Sequence, residues 1–311
     1  YIPTCLDNPR SQEKRYMTIP GTWQIERLAA SLGAEVTGVD LKTSTPNDID
    51  AIKALLLDHM VLFFPNQSIS PEQHVAFGRY FGRLEGHPNL KNPTPYPEIF
   101  QLEASKGGVA DEWHTDITFE PEPALMSIMH VIVCPPVGGD TMWTSLCEAY
   151  DKLSGPMKAL CDELTALHDA HPHNRSDKMA IHPVVRIHPD TGRRALYVNQ
   201  HFTRRIVEMS SEESSVVLKH LSDWVTNPRF TVRYRWKPGT IAIWDNRCTQ
   251  HFVLNDFEGE RLIQRVTVMG DKPMGVQKSN WQPQVNQNGR SAMSRHDRQL
   301  YEFLKKNQIR N

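Results

Sequence analysis

The N-terminal third of the chain alternates between helical and extended patterns of apolar positions. In TPNDIDAIKALLLDHM, residues 45–60, apolar side chains recur at spacings of three and four, and a threonine followed by a proline is typical of a helix start. SPEQHVAFGRYFG, residues 70–82, has a similar start, and Gly82 predicts its end. Between them, VLFFP at 61–65 is typical of a short buried strand. The pattern predicts two amphipathic helices that bracket one strand, with an earlier strand in AEVTGVDL.

From about residue 98 onward, extended apolar runs predominate. They include HTDITF, LMSIMHVIVCP, TIAIWD and RLIQRVTVMG, and many are separated by Gly, Pro or Asp turns. Helical patterns interrupt them at about 145–167 and 211–226. Many strands with helices outside favour a mainly β fold with flanking helices, a double-stranded β-helix or jelly-roll barrel, over a parallel βαβ sheet. The chain has no glycine-rich phosphate loop that would argue for the parallel alternative.

These patterns predict one large domain over residues 17–275. Residues 1–16 are expected to be an N-terminal extension without regular structure, ahead of a start at Met17. The segment 276–311 is polar, so we expect a flexible tail that ends in a weak helix.

Composition narrows the class of protein. With 311 residues and 39% hydrophobic content, the chain can bury a large core. Its 35 basic and 36 acidic residues leave a net charge of -1, so no long-range field favours nucleic acid or an anionic membrane as a partner. No apolar run approaches the ~18 residues of a membrane span, and the five cysteines form no C-x-x-C pair. We therefore expect a cytoplasmic globular protein without a disulfide framework.

A candidate for metal binding lies in ADEWHTDITFEPEPA, where His114 and Asp116 stand two positions apart. Side chains two apart on a strand share a face, so both are able to point into a barrel. A chain with 14 histidines is expected to contain about one His-x-Asp by chance, and a second copy occurs in HPDTG at 188–192. That copy has turn residues between two apolar runs, which predicts a hairpin loop with a structural role. The first pair is open to two interpretations, a metal site or two polar residues on one strand face.

A third ligand would complete the site. His251, in IAIWDNRCTQHFVL, follows a strongly apolar strand that is able to hold it rigidly at a barrel mouth. Two histidines and one carboxylate form the face that holds Fe(II) and leaves three positions open. Taken alone, His251 is equally typical of a hydrogen-bonded, half-buried histidine.

Two arginines follow His251 on one predicted strand, RLIQRVTV. Arg261 and Arg265 lie four positions apart and therefore on one face, with their Cα atoms about 13 Å from each other. Buried guanidinium groups are costly unless each meets an anion. They either pair with Asp or Glu at the rim, or each binds a small-molecule carboxylate or sulfonate, for which the forked guanidinium is well shaped.

Several segments together resemble one family. EWHTDITF, PPVGGDTMWTS, HPVVRIHPDTGRRALYVNQHFTRRI, IAIWDNRCTQHFVLNDFEGERLIQRVTVMGDKP and LGAEVTGVDL are similar to the TauD/TfdA family of Fe(II)- and 2-oxoglutarate-dependent dioxygenases, in order over about residues 23–275. The resemblance implies a jelly-roll enzyme that uses Fe(II), 2-oxoglutarate and O2 to hydroxylate a substrate carbon, with formation of succinate and CO2. Relatives often form dimers or tetramers, so a homo-oligomer is an open expectation.

The resemblance also implies roles for particular residues. Without the resemblance, Thr141 is more typical of a strand hydroxyl and Phe202 of a core aromatic. Trp244 is expected mainly to pack near the site. The implied set consists of the iron ligands His114, Asp116 and His251, the 2-oxoglutarate partners Thr141 and Arg261, and the substrate-binding residues His87, Arg265, Phe202 and Ile117.

The substrate is expected to be a small anionic organic molecule. In members that use taurine, an asparagine at the position of residue 110 contacts the taurine amine. This chain has Ala110 there, so it departs from taurine specificity. The expected order is an alkanesulfonate such as taurine or a relative, with release of sulfite, ahead of an alkyl sulfate, and both ahead of an aryloxy-carboxylate. Two other classes stay open: a barrel that binds metal or ligand without catalysis, and a zinc hydrolase, although the chain has no H-E-x-x-H motif.

Overall fold

The structure is a computed structural model that describes residues 19–86, 95–104, 110–284 and 295–307. The strands are β1 (Gln24–Arg27), β2 (Ala34–Thr37), β3 (Val61–Phe64), β4 (Leu84–Glu85), β5 (Ile99–Glu103), β6 (Ala124–Val133), β7 (Thr141–Ser145), β8 (Thr165–Ala170), β9 (Arg175–Pro183), β10 (Val185–Ile187), β11 (Arg194–Leu196), β12 (Thr203–Ile206), β13 (Thr231–Tyr234), β14 (Ile241–Asp245), β15 (Thr249–Val253), β16 (Leu262–Met269) and β17 (Met274–Gly275). The helices are α1 (Pro46–His59), α2 (Pro71–Arg79), α3 (Leu146–Asp151), α4 (Gly155–Cys161), α5 (Ser211–Val225) and α6 (Arg295–Lys306).

The first two helices begin where the sequence predicts. The Thr45 hydroxyl accepts from the Asp48 N–H, and the Asp48 carboxylate accepts from the Thr45 N–H, which closes a capping box on α1. Ser70 and Gln73 close the same box on α2. The helix expected at 145–167 is instead two short helices, because Ser154 caps a new start at α4.

The strands form one eight-stranded sheet and three three-stranded sheets. In the large sheet the order is β1-β2-β3-β14-β6-β16-β4, with β5 also pairing β16; two of the smaller sheets are β13-β7-β15 and β12-β8-β9. Only the β2–β3 pair is parallel among these named pairings. The predicted mainly β architecture with flanking helices is confirmed.

The large sheet is buried on both faces. On β3, Val61 and Phe63 point into the core shared with β7 and β13, while Leu62 and Phe64 point to α1 and α2 on the other side. This alternation explains why VLFFP reads as a continuous apolar run. The face toward β7 and β15 is the one that carries the candidate site.

The hairpin predicted at 188–192 is present. β10 and β11 pair on either side of it, and the His188 N–H donates to the Arg193 carbonyl. Gly192 has φ +67°, a left-handed conformation that glycine adopts without a Cβ clash.

A helix ends the C-terminal tail, where the sequence predicts a weak one. Leu300 and Leu304 of α6 are buried against Leu167 and Val207, and Asp297 forms an ion pair with Arg205. Leucines four apart give this otherwise polar helix one apolar stripe, which packs on the body of the fold. The expectation for residues 1–16 lies outside the described residues. Within the described ranges, no helix is long and apolar enough to cross a membrane.

Candidate active site

The two segments that carry the predicted ligands are held side by side by the backbone. The His114 N–H donates to the His251 carbonyl at 3.1 Å, and the His251 N–H returns a bond to the His114 carbonyl at 2.8 Å. His251 lies on β15, but HTDITF is not the predicted strand: it is a single bridge at His114 followed by a turn. Ile117, in that turn, has φ +48°, which is rare for a β-branched residue. Thr115 fixes the turn by donating to the Thr249 carbonyl.

His114, Asp116 and His251 converge as the metal interpretation requires. The Asp116 Oδ1 atom lies 3.8 Å from His114 Nε2 and 3.9 Å from His251 Nε2, and one ligand atom from each residue falls within 4.8 Å of the others. All three side chains are buried. Two imidazole nitrogens and one carboxylate oxygen form a donor set that suits a divalent transition metal with open positions.

Hydrogen bonds orient the ligands. His114 Nδ1 lies 2.7 Å from the Glu112 carbonyl, so its proton sits there and the Nε2 lone pair faces Asp116. The second oxygen of Asp116 accepts from the Ser127 hydroxyl at 2.7 Å and lies 3.4 Å from the Asn246 amide nitrogen. The sequence reasoning did not find Ser127 or Asn246, because only their position in the fold brings them to the ligand.

The electrostatics of the triad favour ionised aspartate and neutral histidines. Burial opposes the charge on Asp116, but the Arg265 guanidinium and the two imidazoles outweigh it and hold the pKa of Asp116 below its usual range. Burial lowers the pKa of His251 to about 4 and lowers the pKa of His114 well below its usual value. These are the protonation states in which all three residues are able to bind a cation.

Arg261 and Thr141 lie in the same cavity as the triad. The cavity that holds the triad measures about 470 Å³, and a further space of about 350 Å³ lies beyond a common boundary at Ile117 and Arg265. The Arg261 side chain is buried, and its Nε and Nη2 atoms have no hydrogen-bond partner in the described part of the chain. Burial lowers the pKa of Arg261 to about 10. A buried fork of this kind fits a carboxylate. Thr141 lines the same cavity, and its hydroxyl oxygen accepts from the Trp236 indole N–H at 2.9 Å.

Arg265 pairs with a carboxylate, which is one of the two alternatives left open by the sequence, but this carboxylate belongs to Asp116. Its Nη1 atom donates to Asp116 Oδ1 at 2.8 Å, while its Nε atom is buried without a hydrogen-bond partner among the described residues. The role of Arg265 toward a substrate anion stays a prediction.

The remaining predicted residues fall on one wall of the cavity. Ile117 and Phe202 line it and belong to one buried apolar cluster with Phe119. Ala110 and Trp244 line it as expected. His87 lies outside the described residues.

Two further histidines line the cavity and were missed. The ring centroids of His201 and His114 are 5.5 Å apart, and the His173 ring stacks on Phe202 at 5.5 Å. His201 Nδ1 pairs with Glu112. The only sequence signal was the position of His201 directly before Phe202 in NQHF.

A second buried group of His188, Asp245 and Cys248 also has metal-ligand types, but its polar atoms are engaged. His188 Nε2 lies 2.9 Å from Asp245, and His188 Nδ1 accepts from two backbone N–H groups. Arg247 donates to both oxygens of the same carboxylate. These bonds assign the group a structural role, as predicted for the second His-x-Asp.

Comparison with known proteins agrees with this arrangement. A mainly β fold with a buried His-Asp-His group defines the two-histidine, one-carboxylate class of metal site. The model of the family described as "Taurine catabolism dioxygenase TauD, TfdA family" matches residues 24–267. The chain belongs to this TauD/TfdA family, and the predicted resemblance and jelly-roll fold are confirmed.

Three relatives illustrate the range of the family. An alpha-ketoglutarate-dependent sulfate ester dioxygenase of Pseudomonas putida is 35% identical, over 81% of this chain and 91% of the relative. An alkylsulfatase of Acinetobacter baylyi is 33% identical, over 88% and 90%. The crystal structure of a taurine dioxygenase from Burkholderia xenovorans is 39% identical, with a TM-score of 0.76 over 82% of this chain and 91% of that one.

Proposed function

We propose that the chain is an Fe(II)- and 2-oxoglutarate-dependent dioxygenase that hydroxylates the carbon next to the sulfur-bearing group of a small organic anion. The observation that carries the proposal is the cavity in which the buried Arg261 fork, whose Nε and Nη2 have no hydrogen-bond partner among the described residues, lines the same space as the His-Asp-His group. His114, Asp116 and His251 would hold the iron, and Arg261 with Thr141 would hold the distal carboxylate of the cosubstrate 2-oxoglutarate.

The charge of the cavity favours a monoanionic substrate. Arg261, Arg265 and a divalent metal would carry positive charge there, against Asp116 and the dianion 2-oxoglutarate. The surplus is about one positive charge, and a buried charge needs a partner of opposite sign. A sulfate monoester or a simple sulfonate supplies one negative charge, whereas taurine is a zwitterion.

The lining of the cavity favours alkyl sulfates and simple sulfonates over taurine. Among the described lining residues Asp116 is the only carboxylate, and it is already bonded to Ser127 and Arg265. An ammonium group would therefore be desolvated without a partner. A sulfate ester dioxygenase and an alkylsulfatase among the relatives support alkyl sulfates ahead of the alkanesulfonate that came first in the order expected from the sequence.

The residues would divide the work as follows. When bound, iron activates O2 with 2-oxoglutarate as the source of two electrons, so that succinate, CO2 and a hydroxylated substrate form. Arg265 binds the substrate oxyanion and directs the adjacent carbon toward the triad. Ile117 and Phe202 exclude water from that carbon. In a sulfate ester the new hydroxyl loses its proton, the C–O bond to sulfate breaks, and an aldehyde and sulfate leave.

A substrate screen tests the proposal. Purified protein with Fe(II), ascorbate and 2-oxoglutarate is given alkyl sulfates, alkanesulfonates, taurine or an aryloxy-carboxylate, and succinate is measured. We expect substrate-dependent succinate, largest with alkyl sulfates, and none from His114→Ala. Succinate that depends on no substrate of any of these classes would contradict the proposal and favour a barrel that binds without catalysis.

A further inference from the structure

A second cavity lies next to the active-site cavity. The second cavity measures about 350 Å³, and it shares Ile117 and Arg265 with the 470 Å³ cavity that contains the triad. Thr267 and Met269 line it on the side away from the triad. Each volume is within the range of small-molecule pockets, about 300–1,000 Å³. The two residues expected to touch the substrate therefore stand at the boundary between two cavities.

One strand connects the two cavities in a definite order. Arg261, Ile263 and Arg265 line the inner cavity, and Arg265, Thr267 and Met269 line the outer one. Residues two apart on β16 share a face, and from Arg265 to Met269 the strand extends about 13 Å. The order along β16 runs from the cosubstrate end, through the substrate anion, to the outer cavity.

The boundary between the two cavities is partly apolar. Ile117, Phe119 and Phe202 form one buried cluster, and Met269 packs against it. The left-handed turn at Ile117 places that residue in the lining of both cavities.

The outer cavity also has charged residues in its lining. Glu120 pairs with Lys178 at 2.6 Å, and Arg83 lies 3.6 Å from Glu85. Glu85, Glu120 and Arg83 belong to the lining. A chain that lies along Ile117 and Met269 would thus reach water between charged side chains.

We propose that the outer cavity is a subsite for the tail of the substrate, which makes the enzyme selective for chains longer than taurine. The proposal rests on the function proposed above. The anion would bind Arg265, the carbon to be oxidised would face the triad, and an apolar chain would extend past Ile117 along Thr267 and Met269.

Two variants that fill the outer cavity test the subsite. Thr267→Trp and Met269→Trp place an indole there from different positions, so that one remains informative if the other does not fold. Thr267→Val is the matched control, because valine has the same β-branched shape as threonine and leaves the cavity open. Butyl sulfate and decyl sulfate, below the concentrations at which they form micelles, are the probes.

Binding of each sulfate is measured anaerobically by calorimetry on protein loaded with Fe(II) and 2-oxoglutarate. KM and kcat are measured separately from the rate of succinate formation. Each CH2 that leaves water contributes about fourfold in affinity. We expect wild type and Thr267→Val to bind decyl sulfate at least about tenfold more tightly than butyl sulfate. In both tryptophan variants this ratio should fall toward one, because the affinity for decyl sulfate falls more than the affinity for butyl sulfate.

The outcomes separate the two proposals. If wild type turns over both sulfates with equal affinity, or if both tryptophan variants keep the preference for the longer chain, the subsite is refuted and the proposed function stands. If wild type forms no substrate-dependent succinate with either sulfate or with any sulfonate, the proposed function itself fails, and the subsite with it.

Discussion

At the residue scale, the triad depends on side chains that do not bind metal. Ser127 is fully buried and donates to Asp116, and Asn246 links that carboxylate to the Trp244 indole. Partners of this kind fix the direction of a ligand lone pair. The affinity for iron is therefore expected to depend on them.

Removing the Ser127 hydroxyl tests this dependence. Ser127→Ala should weaken Fe(II) affinity by about 10- to 100-fold, because Asp116 loses the hydroxyl hydrogen bond that orients its carboxylate. Anaerobic Fe(II) titration measures the affinity. Thr144→Val removes another buried hydroxyl that donates only to the Val225 carbonyl, and it should leave iron binding unchanged. Equal iron affinity in Ser127→Ala and wild type would show that the bond is incidental.

Arg261 and Arg265 are expected to affect different kinetic constants. Arg261→Met should raise the KM for the cosubstrate 2-oxoglutarate by about 10- to 100-fold, since a charged hydrogen bond contributes about 1.5–3 kcal/mol, and should leave the substrate KM nearly constant. Arg265→Met should raise the KM for the substrate and leave the KM for 2-oxoglutarate nearly constant, when both are measured at saturating Fe(II). Steady-state kinetics with substrate and cosubstrate varied in turn distinguishes the two, and equal effects of both variants on both constants would refute the division of labour.

Some residues of the site could be predicted from the sequence, and others could not. His114, Asp116, His251 and Arg261 were found because chain order and residue type carry their chemistry, and backbone pairing brings them together. The turn at Ile117 was missed, because a β-branched residue with positive φ contradicts local propensity. Ser127, Asn246 and His201 were missed because a hydroxyl, an amide or an imidazole acquires a role only from its neighbours.

At the element scale, α6 is part of the folded body. It reaches the site region through Gln299, which donates to Asp169, and Asp169 accepts in turn from Arg204 beside His201. Sequence composition suggested a flexible tail there, because the buried stripe consists of only two leucines in a polar segment. Packing rather than helix propensity decides whether such a helix is ordered.

A leucine truncation tests the docking of α6. Leu300 is fully buried, so Leu300→Ala should lower the free energy of unfolding by about 2–5 kcal/mol, as measured by urea denaturation. Glu302→Ala, on the exposed side of the same helix, should change it by less than about 0.5 kcal/mol. Similar values for the two variants would mean that α6 does not contribute to the stability of the fold.

At the scale of the whole molecule, buried neutral histidines make stability depend on pH. Burial lowers the pKa of His74 to about 4, assisted by nearby His130, and burial lowers the pKa of His182 to about 4 as well. In the unfolded chain both titrate near a pH of about 6.5. The stability that depends on keeping these two histidines neutral is therefore fully present above pH ~6.5, and it is lost as the pH falls toward ~4.

Unfolding at several pH values tests this contribution. Between pH ~6.5 and ~4, the free energy of unfolding should fall by up to about 1.4 kcal/mol per pH unit for each of the two histidines. His74→Leu should reduce this slope, whatever its effect at neutral pH, whereas the exposed His220→Gln should not. A slope that His74→Leu leaves intact would assign the acid sensitivity to other groups.

The architecture itself followed from the pattern of strands and turns, since the double-sided burial of β3 and the hairpin at β10–β11 are both local signals. The adjacency of the two cavities could not be predicted, because it depends on β16 passing both of them after the chain has folded. Specificity is thus a property of the whole molecule, while the reaction class is visible in short motifs.

The central claim is that one cavity holds iron on His114, Asp116 and His251 and 2-oxoglutarate on Arg261. The most direct measurement is the visible absorption spectrum of the anaerobic protein with Fe(II) and 2-oxoglutarate added separately and together. We predict a weak band of the metal–2-oxoglutarate chelate only when both are present, lost in His114→Ala and requiring more 2-oxoglutarate in Arg261→Met. No band in the wild-type protein, or an unchanged band in His114→Ala, would contradict the account.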